Sequence, residues 1–224
     1  MPHIHRKEHT MKAYIYTGGD IYPDGLREHP SSDDLRVAAD SGYLHARRLG
    51  EKIDLLVGDM DSLGVSSTAA AEVEAAGGEV LRVKAEKDET DTQLAVHEAV
   101  KRGADEIVII GGLSGRLDHT LSNLAILESL CEHRITARIV DGRNRARFVK
   151  NDSLLLANEG YHYLSLIAVD EICKGVSVEG CKYPLENAKL YRTNQYAVSN
   201  EMTGPAALVS VKKGRMYVIE STDR

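Results

Sequence analysis

Residues 107–140 read IVIIGGLSGRLDHTLSNLAILESLCEHRITARIV, and their pattern decides the fold. Ile107-Val108-Ile109-Ile110 is a continuous apolar, β-branched run, the signature of a strand buried on both faces. A glycine-rich loop follows over 111–116, then a helix over 118–130, then a second apolar strand over 135–140. A strand, a crossover helix and another strand form the unit of a parallel sheet.

The same alternation extends toward the N-terminus. The apolar run 13–16 ends at Thr17-Gly18-Gly19-Asp20. The run 35–39 ends at Asp40-Ser41-Gly42 and leads into a helix over 43–49, which Gly50 closes. Leu55-Leu56-Val57 ends at Gly58-Asp59-Met60-Asp61-Ser62. A helix over 66–76 stops at Gly77-Gly78, a strand covers 79–83, and a helix over 91–102 stops at Gly103. This predicts a parallel sheet covered on both faces, with ligands bound beyond the carboxyl ends of its strands.

Beyond Asp141-Gly142-Arg143-Asn144 the pattern changes. The apolar runs 161–168, 175–178, 207–211 and 216–220 are short, separated by turns and without helical period. They predict an all-β sandwich. The segment from Gly180 to Asn187 reads as a strand end and a turn. The chain thus divides into an extension over 1–10, an α/β domain over 11–142 and a β-sandwich domain over 143–224. The extension carries His3, His5 and His9 and reads as a solvated tail.

Composition narrows the function classes. The 224 residues are 42% hydrophobic and 28% charged, which suits a globular chain. A net charge of −6 lacks the basic surface that drives nucleic-acid binding. No apolar run approaches the roughly 20 residues of a membrane span, and no signal peptide is expected. Three cysteines, Cys131, Cys173 and Cys181, fit a reducing compartment, so the expected location is cytoplasmic.

Four segments carry candidate chemistry. In Gly58-Asp59-Met60-Asp61-Ser62 the two acids stand at i and i+2, so both can face one hard cation. In Lys87-Asp88-Glu89-Thr90-Asp91, at a helix start, Asp88 reads as the cap with Asp91 in the first turn; the pair can equally join a metal site, with Lys87 toward a phosphate. Gly111-Gly112-Leu113-Ser114-Gly115 lets backbone N–H groups approach an anion at a helix N-terminus. Arg116 adds a forked cation, and Asp118-His119 suits substrate binding or proton handling. In the β-rich part, Ser199-Asn200-Glu201 lies in a polar turn. Each segment alone has a turn or cap reading. Together, at strand ends, they describe a metal–polyphosphate site.

Taken in order, Asp40-Ser41-Gly42, Gly58-Asp59-Met60-Asp61-Ser62, Lys87-Asp88-Glu89-Thr90-Asp91, Gly115-Arg116-Leu117-Asp118-His119 and Ser199-Asn200-Glu201 resemble the thiamin pyrophosphokinase family. The resemblance spans nearly the whole chain. It implies an α/β domain followed by a β-sandwich, and a homodimer with active sites between subunits. It also implies diphosphate transfer from ATP to thiamin, giving thiamin diphosphate and AMP. Asp59, Asp61 and Asp91 are then the expected Mg2+ ligands, with Asp40 and Asp88 close by. Arg116 and the 111–115 loop, Gly112 included, are expected on the triphosphate, and Ser62, Lys87, Asp118 and His119 at the same ATP site. The catalytic set is Asp59, Asp61, Asp91, Arg116 and Asp118. Ser199 and Asn200 are expected to touch thiamin. Eukaryotic members stack a Trp on the thiamin pyrimidine; Tyr183 stands there in this chain. Two other readings stay open: a pyrophosphokinase for a hydroxymethylpterin, and a thiamin- or nucleotide-binding regulator without turnover.

Overall fold

The structure is a computed structural model that describes residues 11–59, 66–83 and 88–223. Asp61, Ser62 and Lys87 of the expected site, and the 1–10 extension, lie outside the described residues.

Six parallel strands form the first two thirds of the large sheet: β1 (Lys12–Tyr16), β2 (Leu35–Ala39), β3 (Leu55–Gly58), β4 (Glu79–Arg82), β5 (Glu106–Ile110) and β6 (Thr136–Val140), in the order β4-β3-β2-β1-β5-β6. Alternate residues of these strands enter two cores, as a period of two requires. Ala13, Ile15, Leu55, Val57, Ile107 and Ile109 pack against α3 (Asp91–Lys101) and α4 (Leu117–Glu132). Tyr14, Tyr16, Leu56, Val108 and Ile110 pack against α1 (Gly42–Arg48) and α2 (Ser66–Ala75). Both faces are covered, and the β5 residues Ile107–Ile110 are at most 1% exposed.

The sheet continues past β6. β7 (Asn144–Lys150), β13 (Arg215–Ser221) and β9 (Tyr163–Ala168) add antiparallel strands, making nine in all. A second sheet, β11-β10-β12-β8, faces this extension. Its strands are β8 (Ser153–Ala157), β10 (Ile172–Glu179), β11 (Leu185–Tyr191) and β12 (Ala206–Lys213). Between the sheets Val149, Leu164, Leu166 and Val218 meet Leu156, Val176, Val178 and Val209 in a third core. The fold is therefore a mixed parallel α/β region followed by an antiparallel β-sandwich region, as expected. No helix follows α4 among the described residues, and none described is long and apolar enough to cross a membrane.

Three details depart from the sequence reading. The cap of α3 is Thr90, not Asp88: the Thr90 side chain accepts from Gln93 N–H at 3.2 Å, and the Gln93 side chain accepts from Thr90 N–H at 2.9 Å. This capping box makes Asp91 the first helical residue, where a carboxylate meets the helix dipole favourably. Second, β7 and β8 were not legible as strands. In β7, Arg145 and Arg147 occupy core-facing positions that only a buried acid makes tolerable. Third, the segment ending at Asn187 is not simply a turn, because β11 begins at Leu185. β11 is a polar edge strand whose neighbour in the sheet is β10, with an irregular register.

Candidate active site

Four strand ends and two helix starts converge on a cleft of about 430 Å³ at the carboxyl edge of the parallel sheet. The loop after β1 supplies Thr17, Gly18 and Gly19, and the ends of β2 and β3 supply Asp40 and Asp59. The start of α3 brings Asp91. The loop after β5 brings Gly111, Ser114, Gly115 and Arg116, and the first turns of α4 bring His119 and Asn123.

The chain approaches itself closely here, which explains its small residues. A Cβ on Gly19 would stand 1.9 Å from the Gly111 carbonyl oxygen, and one on Gly42 would stand 2.0 Å from the Tyr16 carbonyl oxygen. Asp20 N–H donates to Ser114 Oγ at 2.5 Å, and Thr17 donates from both N–H and hydroxyl to the Ile110 carbonyl at 2.9 and 3.1 Å. Asp40 adopts a left-handed backbone, φ 49°, while its N–H donates to Val57 O at 2.8 Å. Asp tolerates this conformation better than most residues. The ends of β2 and β3 are thereby tied side by side, with Asp40 and Asp59 on the cleft wall.

The expected residues divide by position. Asp40, Asp59, Asp91, Arg116 and His119 line the cleft. Asp88 is exposed and does not line it. Asp118 turns aside: it accepts from Arg116 Nε at 3.2 Å and Nη2 at 2.6 Å, and from His119 N–H at 3.0 Å. The Arg116 hydrogen bonds hold the Asp118 carboxyl below the usual carboxylate range. Both partners are exposed, so this ion pair contributes little to stability. Gly112 packs below the loop rather than lining it. Its carbonyl accepts from Asn123 Nδ2 at 3.0 Å, and a Cβ there would sit 3.0 Å from Ile139 Cγ2.

Several lining residues escaped the sequence reading. Asn123 had a signal, since Arg116, His119 and Asn123 recur at spacings of three and four on one helical face. His45 had none. It lies one turn into α1 and contacts the Gly18 and Gly19 backbone, and burial pushes its pKa below the usual imidazole value.

Among the described residues, no group of three or more histidines, cysteines or acids is close enough to hold a metal ion. The donor chemistry still fits a hard divalent cation, because Asp40, Asp59 and Asp91 offer only carboxylate oxygen. A groove of about 460 Å³ between α3 and α4, lined by Val96, Val100 and Ile126, is apolar and gathers no acids.

A smaller cleft of about 250 Å³ opens in the sandwich between the edge strands β9 and β11. Leu164, Leu166, Val178 and Leu185 form its apolar floor, and Tyr183, Tyr196 and Asn200 stand on its rim. Ser199 is not part of the lining. Its backbone is left-handed, φ 56°, and its N–H donates to Ser165 Oγ at 3.0 Å.

Both halves match known sequence families. The model of the thiamin pyrophosphokinase catalytic domain matches residues 26–139, and that of the thiamin pyrophosphokinase vitamin B1 binding domain matches residues 154–216. The chain belongs to the thiamin pyrophosphokinase family. It is similar to the thiamine pyrophosphokinase of Bacillus subtilis, 29% identical over 93% of this chain and 98% of that one. It also resembles thiamin pyrophosphokinase 1 of Caenorhabditis elegans, 26% identical over 83% and 78%. The crystal structure of the Geobacillus thermodenitrificans thiamin pyrophosphokinase superposes with a TM-score of 0.83 at 28% identity, covering 95% of this chain and 98% of that one. The yeast enzyme, at 14% identity and a TM-score of 0.71, shares the fold. The chain is thus an enzyme of this family.

Proposed function

We propose that this enzyme transfers the terminal diphosphate of ATP to the hydroxyl of thiamin. The hydroxyl oxygen attacks the β-phosphorus in line with the bond to the α–β bridging oxygen. That bond breaks, AMP departs, and the hydroxyl proton leaves toward the carboxylate-lined cleft. The observation that carries this reading is the cleft itself, where Asp40, Asp59 and Asp91 face the Gly111–Gly115 loop and Arg116. Backbone N–H groups and a forked cation suit phosphate oxygens. Asp59, Asp61 and Asp91 would hold Mg2+, which supplies charge neutralisation on the triphosphate.

The apolar cleft between β9 and β11 takes thiamin in this account, with the exposed ring of Tyr183 against the pyrimidine. The strand ends of the acidic cleft, at β3, β2, β1 and β5, lie four to seven strands from β9. At ~4.8 Å per strand that is on the order of 20–35 Å within one chain, too far for direct transfer. A homodimer in which the partner subunit brings its thiamin cleft to the acidic cleft resolves this. The 11–142 and 143–224 portions then act as donor and acceptor domains. Three free thiols support a reducing, cytoplasmic setting.

Substrate choice separates this reading from the pterin alternative. AMP release is to be compared with thiamin and with hydroxymethyl-dihydropterin; turnover of the pterin without thiamin overturns the proposal. Thiamin binding without AMP formation, in the presence of ATP and Mg2+, supports a regulator instead.

A further inference from the structure

We infer that Asn200 is a positioning residue that acts on thiamin through Tyr183, by clamping the Tyr183 main chain so that its ring stands ready over the edge cleft. This rests on the reading of that cleft as the thiamin site.

Tyr183 is 60% exposed and sits in the turn between β10 and β11, just before Pro184. An aromatic anchor on a loose turn must be ordered when ligand binds, which weakens affinity. Here the turn is already held. Asn200 Oδ1 accepts from Tyr183 N–H at 2.9 Å, and Asn200 Nδ2 donates to the Tyr183 carbonyl at 2.7 Å. The same Oδ1 also accepts from Glu201 N–H at 2.9 Å. The amide orientation follows from its partners, since a flipped amide would set donor against donor.

The clamp is itself anchored. Asn200 N–H donates to the Leu164 carbonyl at 3.0 Å, and Leu164 N–H donates to the Asn200 carbonyl at 2.7 Å. Leu164 floors the cleft. Lys182 N–H donates to Glu201 O at 2.9 Å, and Thr203 N–H to Gly180 O at 3.0 Å, so segments 180–183 and 200–203 run as a short paired ladder. The left-handed Ser199 turns the chain into this ladder. Tyr183 is therefore tied to β9 through one side chain, and three of the four hydrogen-bonding positions of that amide are occupied within the protein. A clamp that fixes the ring against the apolar floor selects a flat, aromatic acceptor over a non-planar one.

A double-mutant cycle on thiamin affinity, read by calorimetry on the full chain, tests this. Tyr183→Ala is expected to weaken thiamin about tenfold, and Asn200→Ala about fivefold. The double variant should bind no more weakly than Tyr183→Ala alone, because without the ring the clamp has nothing to present. Additive losses, about fiftyfold together, place Asn200 directly on thiamin and overturn the inference, as does an Asn200→Ala variant of unchanged affinity. Should Asn200→Ala not fold, Asn200→Asp, which keeps the acceptor and loses the donor, enters the same cycle with the same criterion. The chain has no Trp, so Tyr183→Trp installs a sole indole reporter. Its fluorescence anisotropy should fall when Asn200→Asp is added; an unchanged anisotropy contradicts the clamp. If Tyr183→Ala leaves thiamin affinity intact, the site reading fails and not the clamp alone.

Discussion

Arg145 on β7 and Glu220 on β13 meet through two hydrogen bonds of 2.7 Å, and both side chains are sealed from water. They stand where the α/β region and the sandwich share one sheet. Arg147 also bonds Glu220, and Arg138 bonds Glu28 at 2.6 and 2.7 Å and Glu106 at 2.6 Å. Val140, opposite Arg145, belongs to the α1–α2 core, and Val149, two residues beyond Arg147, to the sandwich core. The charges thus form a polar seam between two apolar cores.

Removing Glu220 takes away the ion pair of Arg147 and leaves Arg145 with Glu159 and Glu28. Glu220→Ala leaves Arg145 and Arg147 facing each other without their shared acid. A loss of about 3–5 kcal/mol in unfolding free energy is expected from denaturant titration. A loss below ~1 kcal/mol would show that the seam contributes little.

His45 makes stability depend on pH near neutrality. Burial lowers its folded-state pKa, so between that value and the ordinary one near 6.5 the unfolded chain holds the extra proton. Its contribution is present above the ordinary value and is lost as pH falls through the depressed one. His45→Gln should flatten the slope of stability against pH as pH falls below the ordinary imidazole value. An unaltered slope counts against the assignment.

Gly19→Ala tests the close approach of the two loops. A Cβ 1.9 Å from the Gly111 carbonyl oxygen forces the β1 and β5 loops apart. Nucleotide affinity is expected to fall at least tenfold with a smaller change in melting temperature, because the displaced backbone lines the acidic cleft. Wild-type ATP affinity in a folded Gly19→Ala protein would be incompatible with this geometry.

Sites shared between subunits can be reconstituted. Asp59→Asn damages the acidic cleft and Tyr183→Ala the apolar one. Mixed after unfolding and refolding together and assayed at limiting thiamin, the two impaired proteins should recover about a quarter of wild-type activity, because half the dimers are mixed and each holds one intact pair. No recovery beyond the sum of the separate proteins excludes a site built across two chains.

The sequence showed the parallel half well and the site in part. Ile107–Ile110 and Leu55-Leu56-Val57 announced themselves because both faces of these strands are apolar. The aspartates at strand ends were legible because the sheet rule says where ligands go. Asp88 was misread as a cap because Thr90, two residues on, forms the same kind of box with Gln93. β7 was hidden by Arg145 and Arg147, whose partner Glu220 lies 75 and 73 residues away. His45 and the Asn200 clamp depend on contacts between distant loops, which no local pattern records.

Thiamin-dependent release of AMP from ATP by the purified chain, with and without Mg2+ and in parallel with Asp59→Asn, tests the central claim most directly. The account predicts AMP formation only when thiamin, ATP and Mg2+ are all present, and a loss of about a hundredfold or more in Asp59→Asn. AMP release that ignores thiamin, or an Asp59→Asn protein that turns over at the wild-type rate, would contradict it.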